Sequence, residues 1–199
     1  MKTLLVFPTA ILVASSALAA RPMSITDLLT AVRVGDPQLS PDGKLVAYVR
    51  TMTDPATLKR NADIWVVAAD GSSAPKLFVG GDKAENTPRW SPDGRHLAFI
   101  STRDGASQVY VADADGTHVR QVTKVDGGVQ PPLVFSPDGT TLAFVADVKM
   151  APDPAVAVHH MTRLFYRHWD EWRENVRHHV FVAPLAGGDA TDLTPGDYD

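Results

Sequence analysis

Three copies of the tetrapeptide SPDG contain the first residues that could act as nucleophiles, Ser40, Ser91 and Ser136. A nucleophilic serine needs a neighbouring base, and the nucleophile elbow places it in a Gly-x-Ser-x-Gly turn between a strand and a helix. No serine of this chain has that sequence around it. We therefore predict that the three serines are turn residues and that the chain contains no catalytic residue.

A second group of residues with chemical potential lies in residues 149–179, where histidines are frequent. They are His159, His160, His168, His178 and His179. Zinc-binding histidines recur at fixed spacings such as HExxH, which this segment lacks, and neighbouring histidines in a strand point to opposite faces. The sequence therefore predicts no metal site.

Acidic and aromatic residues of the same segment are candidates for binding. Asp170 and Glu171 would bind a positively charged group; alternatively, they form a solvated acidic pair with Arg167 or Arg173, which contributes little free energy. The aromatic side chains would form a ligand platform, or they would anchor the segment by burying their rings, which we expect. They are Phe165, Tyr166, Trp169 and Trp172.

Composition excludes several classes of function. The chain has 199 residues, no cysteine and a formal net charge of −4. Without cysteine there are no disulfides, no thiol catalysis and no thiolate-bound metal. Mild acidity gives no reason to expect a nucleic-acid partner. Gly-rich phosphate loops are missing, so we predict no cofactor.

Residues 1–20 have the layout of a secretory signal peptide. Lys2 precedes an apolar run over residues 4–13, and the segment ends in small residues with an Ala-x-Ala step at residues 17–19. The apolar run is too short to span a bilayer comfortably. We therefore expect export to the periplasm or the exterior, with no membrane span in the mature chain.

The SPDG copies recur after 51 and then 45 residues, and the residue types explain a turn. Proline presets φ at the second position of a type I turn, serine and aspartate bond to local backbone, and glycine supplies a positive φ. SPDG is therefore predicted to form the tip of a β-hairpin with a glycine bulge. The following runs, LVAYV, LAFI and LAFV, are apolar at consecutive positions, which is typical of strands buried on both faces.

Each unit also contains an aromatic strand, a glycine turn and a final short strand. Four-stranded units of 40–50 residues are typical of β-propeller blades, whereas β-helices and sandwiches have shorter periods or turn spacings. We predict an all-β chain, a partial propeller of about three four-stranded blades at residues 36–81, 85–124 and 128–194. A leader at residues 21–35 precedes them, with a helix for which Ser24 is the N-cap and Asp27 the N3 residue.

Three blades are too few for a closed propeller, which has about four to eight. The open edges would favour aggregation. We therefore expect residues 36–199 to be an incomplete propeller from a longer protein; the alternative is a three-blade protein that closes by oligomerising.

Four motifs follow the signal peptide in order: DLLTAVRVGDPQLSPDGKLVAYV, TPRWSPDGRHLAFIST, LFYRHWDEW and HHVFVAPLAGGDATDLTPGDYD. Together they resemble the front of exported serine peptidases of the prolyl oligopeptidase family, in particular the acylaminoacyl-peptidase and dipeptidyl-peptidase-five-like branch. The SPDG units also occur in TolB-type periplasmic propellers. The leader and YRHWDEW are the more specific motifs.

The resemblance implies a propeller that caps an α/β-hydrolase domain and restricts entry to short peptides. The catalytic Ser, Asp and His would lie in that domain, so the 199-residue chain alone is expected to be inactive. In some relatives, acidic residues of the propeller hold the free amino terminus of the substrate, and Asp170 and Glu171 are the corresponding candidates. The alternative function is a non-catalytic TolB-like periplasmic propeller that binds a protein partner.

Overall fold

The computed structural model describes residues 21–151, 167–168, 171–172 and 176–197. One short helix, α1 (Ile25–Thr30), precedes the strands. The strand bounds are β1 Arg33–Leu39, β2 Leu45–Thr53, β3 Arg60–Ala68, β4 Lys76–Val79, β5 Glu85–Trp90, β6 His96–Ser101, β7 Gln108–Asp113, β8 Arg120–Gln121, β9 Val129–Phe135, β10 Thr141–Lys149, β11 Arg167–His168, β12 Glu171–Trp172, β13 Val176–Pro184 and β14 Thr191–Asp192.

The strands form three antiparallel four-stranded sheets, here called the first blade (β1–β2–β3–β4), the second blade (β5–β6–β7–β8) and the third blade (β9–β10–β13–β14). The short strands β11 and β12 pair separately. In every blade the strand order follows the chain, as hairpin-connected neighbours do. The all-β prediction of three four-stranded units is confirmed.

Helix α1 begins at the predicted cap. The Ser24 side chain accepts a hydrogen bond from the Asp27 backbone N–H, and the Asp27 carboxylate accepts one from the Ser24 backbone N–H. This reciprocal capping box satisfies two N–H groups that a helix start leaves without partners. Arg21 forms an ion pair with Asp27.

The SPDG turns have the predicted geometry. In the second blade, Gly94 N–H donates to the Ser91 carbonyl at 2.9 Å, and Gly94 has a φ of 70°. The same turn hydrogen bond closes the other two copies, from Gly43 to Ser40 and from Gly139 to Ser136. Glycine occupies this position because an ordinary side chain would be strained at positive φ.

The blades stack face to face along the chain. Strand β5 packs across β1, β2 and β3, and β9 packs across β5 and β6. Two apolar clusters fill the contacts. The cluster between the first and second blades includes Ile64 and Phe99, and that between the second and third includes Val109 and Phe144. This stacking, rather than any one sheet, creates the core.

The prediction of strands buried on both faces is correct only for the second blade. Residues 97–101 of β6 are all buried, whereas β2 is mostly half-buried and β10 alternates between buried and half-buried positions. The prediction was wrong for β2 and β10 because each lies in a blade with one neighbouring blade among the described residues. Burial of the second face requires a second neighbour.

Equivalent side chains hold the crossovers that follow each blade. Asp63, Gln108 and His179 occupy the same position of β3, β7 and β13, as the strand registers show. Asp63 accepts a hydrogen bond from Gly81 N–H, and Gln108 binds both the N–H and the carbonyl of Val125. His179 Nε2 lies 3.0 Å from the Gly196 carbonyl. The position therefore takes whichever polar side chain matches the crossover.

Candidate functional site

The SPDG serines are occupied by turn hydrogen bonds. Ser91 Oγ donates to Asp93 Oδ1 at 2.6 Å and accepts from His96 N–H at 2.9 Å. The same two contacts recur at Ser40 and Ser136. A hydroxyl that donates to the adjacent carboxylate does not donate to a histidine base, so the geometry is that of a turn rather than of an activated nucleophile.

The carboxylates of these turns are held ionised. The hydrogen bond from Ser136 is the largest contribution that lowers the pKa of Asp138, which falls to about 2, and bonds from Thr140 add to it. Hydrogen bonds from Ser40 and Ser91 likewise lower the pKa of Asp42 and Asp93. Hydrogen bonds to the charged form explain this direction.

The opposite end of the sheets, where β10 ends at Lys149 and β13 begins at Val176, is the candidate functional site; we call it the insertion end. The two strands pair along their whole length, from Thr141 opposite Pro184 to Lys149 opposite Val176. This continuous pairing carries the residues between them away from the propeller as an insertion.

Asp147, near the base of the insertion, organises its surroundings. Its Oδ1 accepts a hydrogen bond from Gln130 Nε2 at 2.8 Å and lies 2.6 Å from His178 Nδ1. The side chains of Asp147 and His178 are 30% and 36% exposed, so solvent reaches the pair. The contact orients the imidazole ring.

A cleft of about 720 Å³ lies beside this pair. Its walls are the crossover from the second to the third blade and the adjoining ends of β10 and β13. The charged lining residues are two cations and two anions: Lys124, Asp126, Asp147 and Lys149. A lining with both signs of charge suits a ligand with both signs, such as a short peptide with free termini.

The predicted binding residues lie beyond this cleft in the chain. Glu171 is the first residue of β12, where its backbone pairs with His168 of β11. Asp170 lies outside the described residues, as do the signal peptide and the aromatic residues Phe165, Tyr166 and Trp169. The role of Asp170 and Glu171 therefore stays a prediction.

The adjacent histidines point to opposite faces, as predicted. His178 contacts Asp147, and His179, which is 2% exposed, lies 2.6 Å from Asp192 through Nδ1. Desolvation raises the pKa of Asp192, but the hydrogen bonds from His179 and Thr194 outweigh it, so the pKa is lowered. Among the described residues, no group of three potential ligands is placed to hold a metal ion.

A buried acidic site at the insertion end was missed by sequence reasoning. Glu85, at the start of β5, is 1% exposed, and its Oε1 accepts hydrogen bonds from Ser101 and Arg103. Its Oε2 has no hydrogen-bond partner within the described part of the chain. Desolvation raises the pKa of Glu85, although the bonds from Arg103 and Ser101 oppose it.

Arg103 connects this carboxyl group to two aromatic rings. Its guanidinium lies 5.5 Å from the centre of the Phe99 ring and 4.9 Å from that of Tyr110. Tyr110 donates to Asp104 at 2.6 Å. Burial, and then the bond to Asp104, raise the pKa of Tyr110 to about 12. No pattern along the chain pairs these residues; strand pairing alone brings them together.

Three antiparallel four-stranded sheets, stacked in chain order with the first strand of each against the preceding sheet, define a segment of a β-propeller. Within the described residues, no helix is long and apolar enough to cross a membrane. A profile of the TolB beta propeller domain matches residues 24–163. The chain belongs to this family.

Curated relatives of the chain are peptidases. Dipeptidyl-peptidase 5 of Porphyromonas endodontalis is 36% identical over 181 residues, which cover 85% of this chain and 26% of the relative. The uncharacterized peptidase YuxL of Bacillus subtilis is 41% identical over 118 residues, covering 58% of this chain and 18% of YuxL. The chain spans about a quarter or less of these relatives.

Solved structures show the same fold. The acylaminoacyl peptidase of Pyrococcus horikoshii superposes with a TM-score of 0.68 at 18% identity, covering 86% of this chain and 26% of that protein. A putative TolB from Agrobacterium tumefaciens has a TM-score of 0.54 at 23% identity, covering 82% of this chain and 49% of that one. These likenesses support the propeller fold and the expected family relationship.

Proposed function

We propose that this chain is the front part of a propeller that controls access to the catalytic domain of an exported serine peptidase acting on short peptides. The observation that carries the proposal is the 36% identity to dipeptidyl-peptidase 5 over 181 residues, of which that relative has nearly four times as many. The catalytic Ser, Asp and His belong to the remaining part, an α/β-hydrolase domain.

The insertion end supports a role in substrate selection. Its cleft carries both signs of charge, and Asp170 and Glu171 lie in the insertion that begins there. A peptide ammonium that leaves water needs a carboxylate partner. Asp170 and Glu171 would supply it, and the propeller would admit short peptides with a free amino terminus. The pattern of residues 1–20 supports a periplasmic or secreted location.

The alternative is a non-catalytic TolB-like propeller that binds a protein partner. The family match and the likeness to the Agrobacterium protein favour it as a fold, but the identities above 35% are with peptidases. We therefore place the peptidase function first.

Kinetics of the full-length protein test the proposal. Asp170→Asn combined with Glu171→Gln should raise KM for dipeptidyl substrates about tenfold or more, since a charge-assisted contact is lost. Glu174→Gln, in the same insertion, is the matched control and should leave KM unchanged. Amino-terminally acylated substrates should be insensitive to the double substitution. Equal kinetics of the double variant and the parent on free dipeptidyl substrates would remove the ammonium-binding role.

A further inference from the structure

The two outermost faces of the blade stack are complementary halves of a contact that the chain makes twice internally. Towards the following blade, the first and second blades present small and β-branched residues. Towards the preceding blade, the second and third blades present leucine and aromatic residues. The buried members of the first set are Ala47, Ile64, Ala98 and Val109, and those of the second set are Leu97, Phe99, Leu142 and Phe144.

The outer face of the third blade carries the first set without its cover. Val180 occupies in β13 the position of Ile64 in β3 and Val109 in β7. Ile64 and Val109 are fully buried by the following blade, whereas Val180 is 39% exposed. Leu193, next to this position on the following strand, is 54% exposed. The third blade thus presents the same apolar surface that the other two blades bury.

The outer face of the first blade carries the second set without its cover. Leu39 precedes its SPDG turn as Trp90 and Phe135 precede theirs. Trp90 and Phe135 pack into the cores shared with the preceding blade, whereas Leu39 is 60% exposed. Tyr48, equivalent to the buried Phe99, is also only half-buried.

The SPDG turns repeat the same complementarity. A Cβ built on Gly94 would lie 3.6 Å from Pro41, and one built on Gly139 would lie 3.4 Å from Pro92. Each turn glycine therefore contacts the proline of the preceding turn. At the ends of the stack, Pro137 is exposed, and a Cβ on Gly43 would meet nothing within 4 Å among the described residues.

We propose that the outer face of the third blade binds the outer face of the first blade of a second copy of this chain. The contact is head-to-tail and repeats the two contacts between successive blades, with Pro137 of one copy against Gly43 of the other. Two such contacts close two copies into a ring of six blades, which lies within the usual range of four to eight. The proposal is independent of the peptidase function, since it concerns self-association of the 199-residue chain.

Sedimentation velocity of the purified chain tests this proposal with one substitution on each face. Val180→Asp and Leu39→Asp each place a charge in the contact, and each should weaken dimerisation at least about tenfold. Leu58→Asp is the control, because Leu58 is 64% exposed in the link between β2 and β3, away from both faces. It should dimerise like the parent chain.

Mixing the two face variants distinguishes head-to-tail association from other kinds. Each variant alone is expected to be monomeric, whereas an equimolar mixture retains one intact contact and should form one-to-one heterodimers. A parent chain that stays monomeric, single variants that dimerise like the parent, or a mixture that stays monomeric would each overturn the proposal. Circular dichroism checks the fold of the variants, and Val180→Ser with Leu39→Ser repeats the experiment if the aspartates unfold the chain.

Discussion

Gly127, in the crossover between the second and third blades, lies so close to Asp147 that a Cβ at this position would overlap the Asp147 carbonyl oxygen. The neighbouring atom is backbone in the middle of β10 pairing, so it cannot move aside as a flexible side chain would. The crossover, the base of the insertion and the charged cleft are thus held together at this one contact.

Gly127→Ala is therefore expected to destabilise the chain by about 2–4 kcal/mol, the range for overpacking with a backbone shift. Gly81→Ala is the matched control in the preceding crossover, where an added Cβ meets nothing within 4 Å among the described residues. Its effect should stay within about 0.5 kcal/mol. Urea unfolding of both variants measures the difference, and equal free energies of unfolding would contradict the close approach.

The SPDG serines should affect stability and leave catalysis alone. Ser91→Ala removes the acceptor of a buried backbone N–H and should cost about 1–2 kcal/mol. Ser136→Ala removes equivalent bonds in a more exposed turn and should cost about half as much. Chemical denaturation measures both. In the full-length protein, neither substitution should change kcat; loss of activity without loss of stability would point to a nucleophile instead of a turn residue.

Glu85 should make the folded state less stable as pH rises. Its pKa is raised in the folded chain, so the folded state binds the proton more tightly than the unfolded state does. The stabilisation is complete below the unfolded pKa near 4.5 and is lost as pH rises through the higher folded pKa. Glu85→Gln lacks this titration.

The free energy of unfolding of the parent and of Glu85→Gln, measured between about pH 4 and pH 8, tests this sign. The parent should lose stability relative to the variant as pH rises. A constant difference, or one that grows in favour of the parent at high pH, would show that Arg103 and Ser101 outweigh the desolvation of the carboxylate.

Local chemistry explains what could be predicted from the sequence. The SPDG turn depends on proline, a short-range carboxylate and glycine within four residues, and the α1 cap depends on Ser24 and Asp27. The four strands of each blade follow from their β-rich runs and intervening turns. These features need no partner distant in the sequence, so the pattern contains all the information required.

Contacts between distant residues explain what could not be predicted. Glu85 meets Arg103 because β5 pairs with β6, and the Arg89–Asp36 ion pair, at 2.8 Å, joins residues of two blades. The crossover residues Asp63, Gln108 and His179 differ in type, so no repeat marks them. For β2 and β10, the apolar runs show that a strand can be buried on both faces, but a neighbouring blade must be present to bury it.

The central claim is that this chain is the non-catalytic propeller part of a serine peptidase. The most direct measurement is labelling of the full-length protein with a fluorophosphonate, followed by mass spectrometry to locate the modified serine. We expect one labelled serine beyond residue 199, with concurrent loss of dipeptidyl-substrate hydrolysis. Labelling of Ser40, Ser91 or Ser136, or a protein that neither reacts nor hydrolyses peptides, would contradict the claim.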